Sequence, residues 1–412
     1  MSLFKASTAP VGSPSSVHGL SVCIPVYNEE EAIGRTLERC LSIREALAAS
    51  GVTSYEIIAV NDGSKDATAA KIREYPDVRL IEHEKNRGYG AALKTGFAAA
   101  QYDLIGFIDA DATYPPEHLP QLCAAALGGA DLVIGSRMAG AASQMPLVRR
   151  LGNLFFARLL TFVARERISD SASGMRVFKR EVLSLLSPLP DGLNLTPVMS
   201  TRAAHERVNV VELPIPYHDR VGRSHLSITR DGVRFLQTMV WTALTYNPVR
   251  LLGMLGLAGI AVSVVVGLAL AAMRLQGVTS LGPLGVLAVF AALVCGVAGV
   301  SIFALGASFN YLVSLFYEQP IRQGLFKSPV LQSPIERWYL PAAAVTLVAG
   351  LATAAVSLML SLQGWPIERL WLYFSASAML VLTSIQLASW WLVMEVLSEL
   401  NQRQRGRERV RV

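Results

Sequence analysis

Apolar and polar positions along this chain fall into two regimes, divided near residue 249. Before that point short apolar runs alternate with amphipathic ones, and after it charge nearly disappears for long stretches. Leu20–Val26, Tyr55–Val60, Val78–Ile81, Leu104–Ile108 and Asp131–Gly135 are short and largely apolar, which predicts buried strands. Between them Glu30–Ala49, Lys65–Glu74 and Gly90–Ala100 repeat apolar residues at three and four, which predicts helices. Strand–helix alternation of this kind predicts an α/β fold with a doubly wound, mainly parallel sheet. Ligands of such sheets bind beyond the carboxyl ends of the strands. The polar clusters stand there: Tyr27-Asn28-Glu29, Asn61-Asp62-Gly63-Ser64 and Asp109-Ala110-Asp111 each follow a predicted strand.

The second regime predicts an α-helical transmembrane domain over residues 249–397, with four spans near 250–273, 283–317, 339–362 and 370–394. Each run reaches the length of about 20 apolar residues that crosses a bilayer. Two further helices have the length and mixed composition of helices that lie on a membrane, one over 145–165 and a juxtamembrane one within 227–248. Residues 1–19 are rich in Ser, Pro and Ala without the apolar core of a signal peptide, and are expected to be a disordered leader. Residues 20–226 are then a cytosolic domain, and 398–412 a basic cytosolic tail.

Composition agrees with a membrane protein: 52% of the 412 residues are hydrophobic, and mean hydropathy is +0.40. Residues 249–412 hold 11 Lys/Arg against 6 Asp/Glu, most of the chain's net charge of +6. The predicted cytosolic loop at 318–338 carries Arg322, Lys327 and Arg337, and the tail carries five arginines, whereas the opposite turns have one basic residue each. That asymmetry follows the positive-inside rule and places both ends on the cytosolic side of what is expected to be the cell membrane. The basic balance therefore points to anionic lipid, not nucleic acid. Cys23, Cys40, Cys123 and Cys295 are scattered, which argues against a disulfide framework or a zinc site. Association into a homo-oligomer is left open by the sequence.

Asp109 and Asp111 close an apolar run two residues apart. Two hard oxygen donors at the lip of a strand suit Mg²⁺ or Mn²⁺, which keep waters and share phosphate oxygens with a substrate. The glycines of Asn86-Arg87-Gly88-Tyr89-Gly90 precede a predicted helix, whose amide end favours an anion.

Taken in order, these motifs over roughly residues 20–240 resemble the inverting family 2 glycosyltransferases of GT-A-type fold. The similarity is nearest to dolichyl-phosphate mannose synthases and bacterial polyprenyl-phosphate glycosyltransferases. The resemblance implies a nucleotide-sugar site built from Pro25, Tyr27, Glu29, Asp62, Gly88, Lys94, Asp109 and Arg137. It implies Asp109 and Asp111 as metal ligands, with Asp111 and Arg176 catalytic. It also implies an acceptor-phosphate site of Arg176, from Asp170-Ser-Ala-Ser-Gly-Met-Arg176, with Arg220, Arg223 and Ser224. Asp62 would accept the ring N–H that uracil and guanine carry, so the donor is UDP- or GDP-linked. The sequence departs from the family pattern at Asn61, where an acid is usual, at Thr113, where some relatives place an amide ligand, and at His225, where Lys is usual.

The implied reaction is transfer of the sugar to a polyprenyl or dolichyl phosphate by single displacement. A hydroxyl acceptor needs a general base; a phosphate monoester is already anionic, and no base motif follows the two acids. Two other readings arise. A processive polysaccharide synthase of the same fold would carry Gln-x-x-Arg-Trp, but Arg337-Trp338 is preceded by Pro334, with the nearest upstream glutamine at Gln332. A non-catalytic membrane-anchored binding protein would explain Asn61 and His225, and would turn over no nucleotide-sugar.

Overall fold

The computed structural model describes residues 18–138, 147–164, 168–206, 208–218, 220, 228–316 and 335–411. The chain divides into two compact units, residues 1–242 and 243–412.

In chain order the first unit holds β1 (His18–Val26), α1 (Ile33–Ser42), α2 (Arg44–Ala49), β2 (Val52–Asn61), α3 (Thr68–Arg73) and β3 (Val78–Glu82). There follow α4 (Tyr89–Ala99), β4 (Leu104–Phe107), α5 (Leu119–Leu127), β5 (Leu132–Ser136) and α6 (Leu147–Ala164). The unit continues with β6 (Arg176–Lys179), α7 (Val182–Leu186), α8 (Leu195–His205) and β7 (Val210–Pro214), and the boundary between units falls within α9 (Ile228–Tyr246).

The seven strands form one sheet in the order β3-β2-β1-β4-β6-β5-β7. Its pairs are parallel except for β6, which runs antiparallel to both β4 and β5. The expected mainly parallel, doubly wound sheet is therefore present, with one reversed strand that the apolar pattern did not announce. β6 is only four residues long and begins with an arginine, so no apolar alternation marks it.

Successive side chains of a strand point to opposite faces, and here both faces are covered. Leu20, Val22, Ile24 and Val26 of β1 join Leu37, Leu47, Ile72 and Leu122 in one core, beneath α1, α2, α3 and α5. Cys23, Ile58, Val60 and Ile105 face the other core, filled by Leu93 and Phe97 of α4, Phe178 of β6 and residues of α7 and α8. Cys23, Cys40 and Cys123 are buried and free.

The helix expected over Glu30–Ala49 is two helices, α1 and α2, separated by Ile43, whose backbone leaves the helical region at φ −86°, ψ 1°. The Ser42 hydroxyl donates to the Arg39 carbonyl at 2.8 Å, a local bond that competes with the helix ladder. The helix expected from Lys65 begins at Thr68, because residues just before it are used in the turn; Asp66 accepts the Thr68 N–H at 3.1 Å.

The second unit contains α10 (Pro248–Leu275), α11 (Pro283–Phe316), α12 (Tyr339–Leu362) and α13 (Ile367–Arg411). All four are long and apolar enough to cross a membrane. Glycines bring α10 and α11 close: a Cβ at Gly256 would stand 2.6 Å from the Gly299 carbonyl. Between apolar helices in lipid, such close backbone approach replaces the hydrophobic drive of a soluble core. Ser377 and Ser384 of α13 donate to the carbonyls of Gly350 and Ala343 of α12, at 2.9 and 2.7 Å. The helix of the span expected over 370–394 continues through the basic tail to Arg411. Glu399 and Arg403 pair across one turn at 2.9 Å and carry it beyond the apolar stretch.

Phe97 stands 5.9 Å from Phe107 and 5.3 Å from Phe178, centroid to centroid, and anchors the second core. Phe97→Ala is expected to cost about 3–5 kcal/mol, the range for emptying a buried aromatic site. Denaturant unfolding of the detergent-purified protein, followed by fluorescence, measures it.

Candidate active site

A cavity of about 540 Å³ opens at the carboxyl ends of the parallel strands. The crevice beyond the strand ends is where the topology of such a sheet leaves room for a ligand. Pro25, Tyr27 and Glu29 reach it from the end of β1, Asp62 from β2, Asp109 and Asp111 from β4, and Arg137 from β5. Gly88, at the start of α4, and Arg220 also line it. Sequence reasoning therefore placed nine of its candidates in one cavity.

The turn after β4 sets the two acids. Ala112 adopts φ 60°, a left-handed conformation that a non-glycine residue holds only at a cost of about 1–3 kcal/mol. The turn brings Thr113 back so that its hydroxyl and N–H both donate to Asp111 Oδ1, at 2.5 and 3.2 Å. Thr113 thus orients a carboxylate and does not line the cavity. The Tyr89 hydroxyl donates to Asp109 Oδ1 at 2.7 Å. Burial, and then the neighbouring Asp111 charge, push the Asp109 carboxyl up to about 7. Gly174 lies so close that a Cβ there would be 2.2 Å from Asp109 Oδ2.

Arg220 bridges two acids: Nη2 pairs with Glu29 and Nη1 lies 3.4 Å from Asp111 Oδ2. Burial raises the Glu29 carboxyl to about 7 in spite of the Arg220 charge. Glu29 is held in place by the Asn61-Asp62-Gly63-Ser64 turn. The Ser64 hydroxyl accepts the Asn28 N–H at 2.9 Å, Asn28 Oδ1 accepts the Lys65 N–H at 2.8 Å, and Asn61 Oδ1 accepts the Ser64 N–H at 3.0 Å. Asn61 is therefore a turn-holding side chain.

Asp62 is buried and already engaged. Its Oδ1 meets His83 Nδ1 at 2.7 Å and the Arg87 N–H at 2.9 Å, and Oδ2 accepts the Gly88 N–H at 2.8 Å. A carboxylate has about four lone-pair positions, so one acceptor position on Oδ2 is left.

Arg137 reaches the cavity with its fork closed on Asp170: Nε and Nη2 each donate at 2.7 Å. It lies over the rings of Tyr114 and Tyr217, 5.6 and 5.3 Å from their centroids. The Asp170 carboxylate, fully buried, also accepts the Asn153 amide at 2.9 Å. Burial acts to raise its pKa, but the Arg137 charge and hydrogen bonds outweigh that and hold it below the usual carboxylate range. What Arg137 offers the cavity is charge, with its bidentate face already spent on Asp170.

Two expected site residues stand elsewhere. Arg176 does not line the cavity; it is on β6, fully buried, and its Nε and Nη2 donate to the carbonyls of Ser173 and Ser171 at 3.1 and 2.8 Å. Burial lowers its pKa to about 10. Its Nη1 has no hydrogen-bond partner among the described residues. The expected phosphate-binding loop arginine is thus a brace for residues 171–174, whose Gly174 backbone backs Asp109. Lys94 also misses the cavity, because its ammonium pairs with Asp191 at 2.6 Å and donates to the Leu189 carbonyl at 3.0 Å. Arg223 and Ser224, with His225, lie outside the described residues.

The sequence reading passed over Tyr89, Tyr114, Tyr217 and Asp170 as site residues. Tyr89 adjoins the glycines already singled out, but Tyr114 and Tyr217 meet only through the fold, ring to ring at 5.7 Å. Val148 and Phe156 of α6 and Phe235 of α9 add apolar side chains to the cavity lining, beside Asn153 and Arg234 of the same helices. Phe156 and Phe235 touch at 5.9 Å, while Leu147, Leu151 and Phe155 of α6 and Trp241 of α9 are exposed.

For a divalent ion the donor set is Asp109 and Asp111; no group of three His, Cys, Asp or Glu side chains that could hold a metal occurs among the described residues. Two carboxylates, one with its pKa raised by burial and then by the other's charge, fit Mg²⁺ or Mn²⁺ completed by phosphate oxygens and water, not a full protein cage.

Residues 21–186 match the glycosyl transferase family 2 profile, and residues 248–408 match a domain of unknown function (DUF8752). A dolichyl-phosphate hexose transferase of Haloferax volcanii is 33% identical over 225 residues, spanning 55% of this chain and 94% of that protein. An undecaprenyl-phosphate 4-deoxy-4-formamido-L-arabinose transferase of Enterobacter sp. is 29% identical over 262 residues, 62% of this chain and 75% of its own. Among solved structures, a Mycobacterium tuberculosis glucosyl-3-phosphoglycerate synthase in complex with Mn²⁺, uridine diphosphate and phosphoglyceric acid aligns with a TM-score of 0.46. That alignment has 20% identity and covers 55% of this chain and 78% of the synthase.

Removing one partner of a buried ion pair strands the other. Asp170→Asn is expected to destabilise the protein by about 3–5 kcal/mol. Because the native pKa of Asp170 is depressed, its contribution is present above the unfolded carboxylate pKa of about 3.9 and is lost as pH falls through the native value. Thermal unfolding in detergent at neutral and acid pH checks both: the gap between wild type and variant should narrow in acid.

Proposed function

We infer that this chain, which belongs to glycosyl transferase family 2, transfers a sugar from a nucleoside diphosphate to a polyprenyl phosphate at the bilayer surface. The observation that carries the reading is one cavity lined both by an acid pair with arginine charges and by apolar side chains of α6 and α9. A nucleoside diphosphate suits the charged lining, and a lipid chain suits the apolar one. The names of the relatives in Haloferax volcanii and Enterobacter, both transferases of polyprenyl-type phosphates, support the same acceptor.

In the donor half, the free acceptor position on Asp62 Oδ2 suits a ring N–H of uracil or guanine. Gly88 holds φ 105° with the Asp191 carbonyl where a Cβ would stand, so that its backbone can line the cavity. Asp109 and Asp111 would hold Mg²⁺ or Mn²⁺, which when bound supplies positive charge to the diphosphate oxygens. Arg220 and Arg137 add positive charge to the same space, where negative charge grows on the leaving diphosphate. A phosphate oxygen of the acceptor attacks the anomeric carbon, the bond to the nucleoside diphosphate breaks with its electron pair, and configuration inverts. The acceptor phosphate has a second pKa near 6, so at neutral pH it attacks without giving up a proton. That accounts for a cavity whose carboxylates are each bound to Arg, Thr, Tyr, His or backbone donors.

The exposed apolar side chains of α6 and α9 fit helices that rest on a membrane. Four spans, with arginines between the second and third and in the tail, support a cytosolic catalytic unit.

Membranes containing the protein, given labelled UDP- and GDP-sugars with polyprenyl phosphate, should yield a lipid-linked sugar. Equal yield from the free polyprenol would overturn the acceptor assignment. Asp111→Ala is expected to cut turnover by about a hundredfold or more, the scale of losing an electrostatic contact made in the transition state; full turnover in excess chelator would remove the metal. A reporter fused after Val412 should be active on the cytosolic side, and activity only on the opposite side would refute the four-span orientation.

A further inference from the structure

β3 is an edge strand, and the chain leaves it at His83 with one more ladder bond, from the His83 N–H to the Asn61 carbonyl at 2.9 Å. That bond turns the imidazole inward, against the end of β2. Both ring nitrogens are engaged there: Nδ1 with Asp62 Oδ1 at 2.7 Å and Nε2 with Thr95 Oγ1 at 2.9 Å. The two side chains are almost wholly withdrawn from water, 5% exposed for His83 and 3% for Asp62. A carboxylate this deep needs hydrogen-bond donors.

Among the described residues, the donors to Asp62 are the His83 ring and the N–H groups of Arg87 and Gly88. The carboxylate is thus a clamp that curls residues 83–88 around itself. The clamp is tight: a Cβ on Gly63 would lie 2.7 Å from the Lys85 carbonyl carbon. On its far side the loop is backed by Asp191, whose carbonyl would meet a Gly88 Cβ at 2.5 Å and accepts the Ala91 N–H at 3.0 Å. Asn86 and Gly88 then line the cavity. His83 itself does not line it.

We propose that His83 is a positioning residue for the donor: through Nδ1 it fixes the Asp62 carboxylate, and so sets both the glycine loop and the remaining Oδ2 acceptor position that a nucleobase would use. Thr95 completes the device by meeting Nε2, which keeps the ring from rotating away from Asp62. The proposal rests on the nucleotide-sugar reading above. Simple core packing is the rival explanation, and it predicts loss of stability without a defect tied to one ring nitrogen.

The two ring nitrogens can be separated chemically. In His83→Asn the side-chain amide stands near the Nδ1 position, and in His83→Gln it reaches toward Nε2. The full-length protein in detergent is titrated with UDP and with GDP in the presence of Mg²⁺, and dissociation constants are measured by calorimetry. For whichever nucleotide the wild type binds, His83→Gln should weaken binding by about tenfold or more, the effect of losing one hydrogen bond to a charged group. His83→Asn should stay within about threefold of wild type, since the bond to Asp62 is kept. In an Asp62→Asn background His83→Gln should bring no further weakening, as expected for residues acting through one contact. Hydrogen–deuterium exchange without nucleotide gives an independent reading, in which residues 85–90 of His83→Gln exchange faster while β1 and β4 do not change. Failure of the wild type to bind either nucleotide would overturn the donor reading and the role of His83 with it. Normal binding and normal exchange in His83→Gln, or equal weakening in the Asn and Gln variants, would overturn the role of His83 alone.

Discussion

The arrangement of the first unit depends on neutralising carboxylates that the sheet gathers into a poorly hydrated space. Glu29, Asp62, Asp109, Asp111 and Asp170 all stand at or behind the carboxyl ends of the strands, and each has a dedicated answer. Arg220 meets Glu29 and Asp111, Tyr89 meets Asp109, the His83 ring and two amides meet Asp62, and Arg137 meets Asp170. Uncompensated charge at this depth would cost far more than a single packing defect. The answers are unequal, however. Asp170 is fully compensated and stays ionised, whereas Asp109 and Glu29 remain raised toward neutrality. The unfinished compensation marks where a cationic ligand has most to contribute.

Much of this was legible in the chain. Strands β1, β2 and β4 are apolar runs that end in polar clusters, and the rule that ligands meet strand ends brought Tyr27, Asp62 and Asp109 to one rim. The four long apolar helices followed from length alone. The misreadings share one cause. Arg176 and Lys94 were assigned through their place in a motif, and a motif fixes sequence position but not the direction of a long side chain. Arg176 sits at the start of an antiparallel strand only four residues long, which no periodicity signals, and that strand turns its guanidinium inward onto Ser171 and Ser173. Lys94 faces Asp191, a partner 97 positions later that only the tertiary fold supplies. Tyr217 beside Tyr114, and His83 beside Asp62, are likewise facts of packing.

The apolar surface is divided between two kinds of element. α10 to α13 are exposed along most of their length, which suits helices meant for hydrocarbon. α6 and α9 behave differently. Each gives one side to the catalytic unit, with Leu160 and Met239 in its core, while Leu151 and Trp241 remain outside. A helix that is half core and half exposed ties the stability of the enzyme to whatever covers its outer face, so detergent or lipid acts on the fold as well as on the spans.

The segment at residues 189–194 is pinned on both sides. Its carbonyls abut Gly88 and Gly90 so closely that a methyl group at position 90 would lie 2.1 Å from the Pro190 oxygen. A few residues on, the Asn194 amide donates to Thr238 on α9 at 2.9 Å. A strut with one foot on the glycine loop and the other on a helix beside the apolar wall leaves little slack between them. One short stretch of chain thus joins the glycine loop, which lines the cavity, to the helix that brings Phe235 to the same cavity.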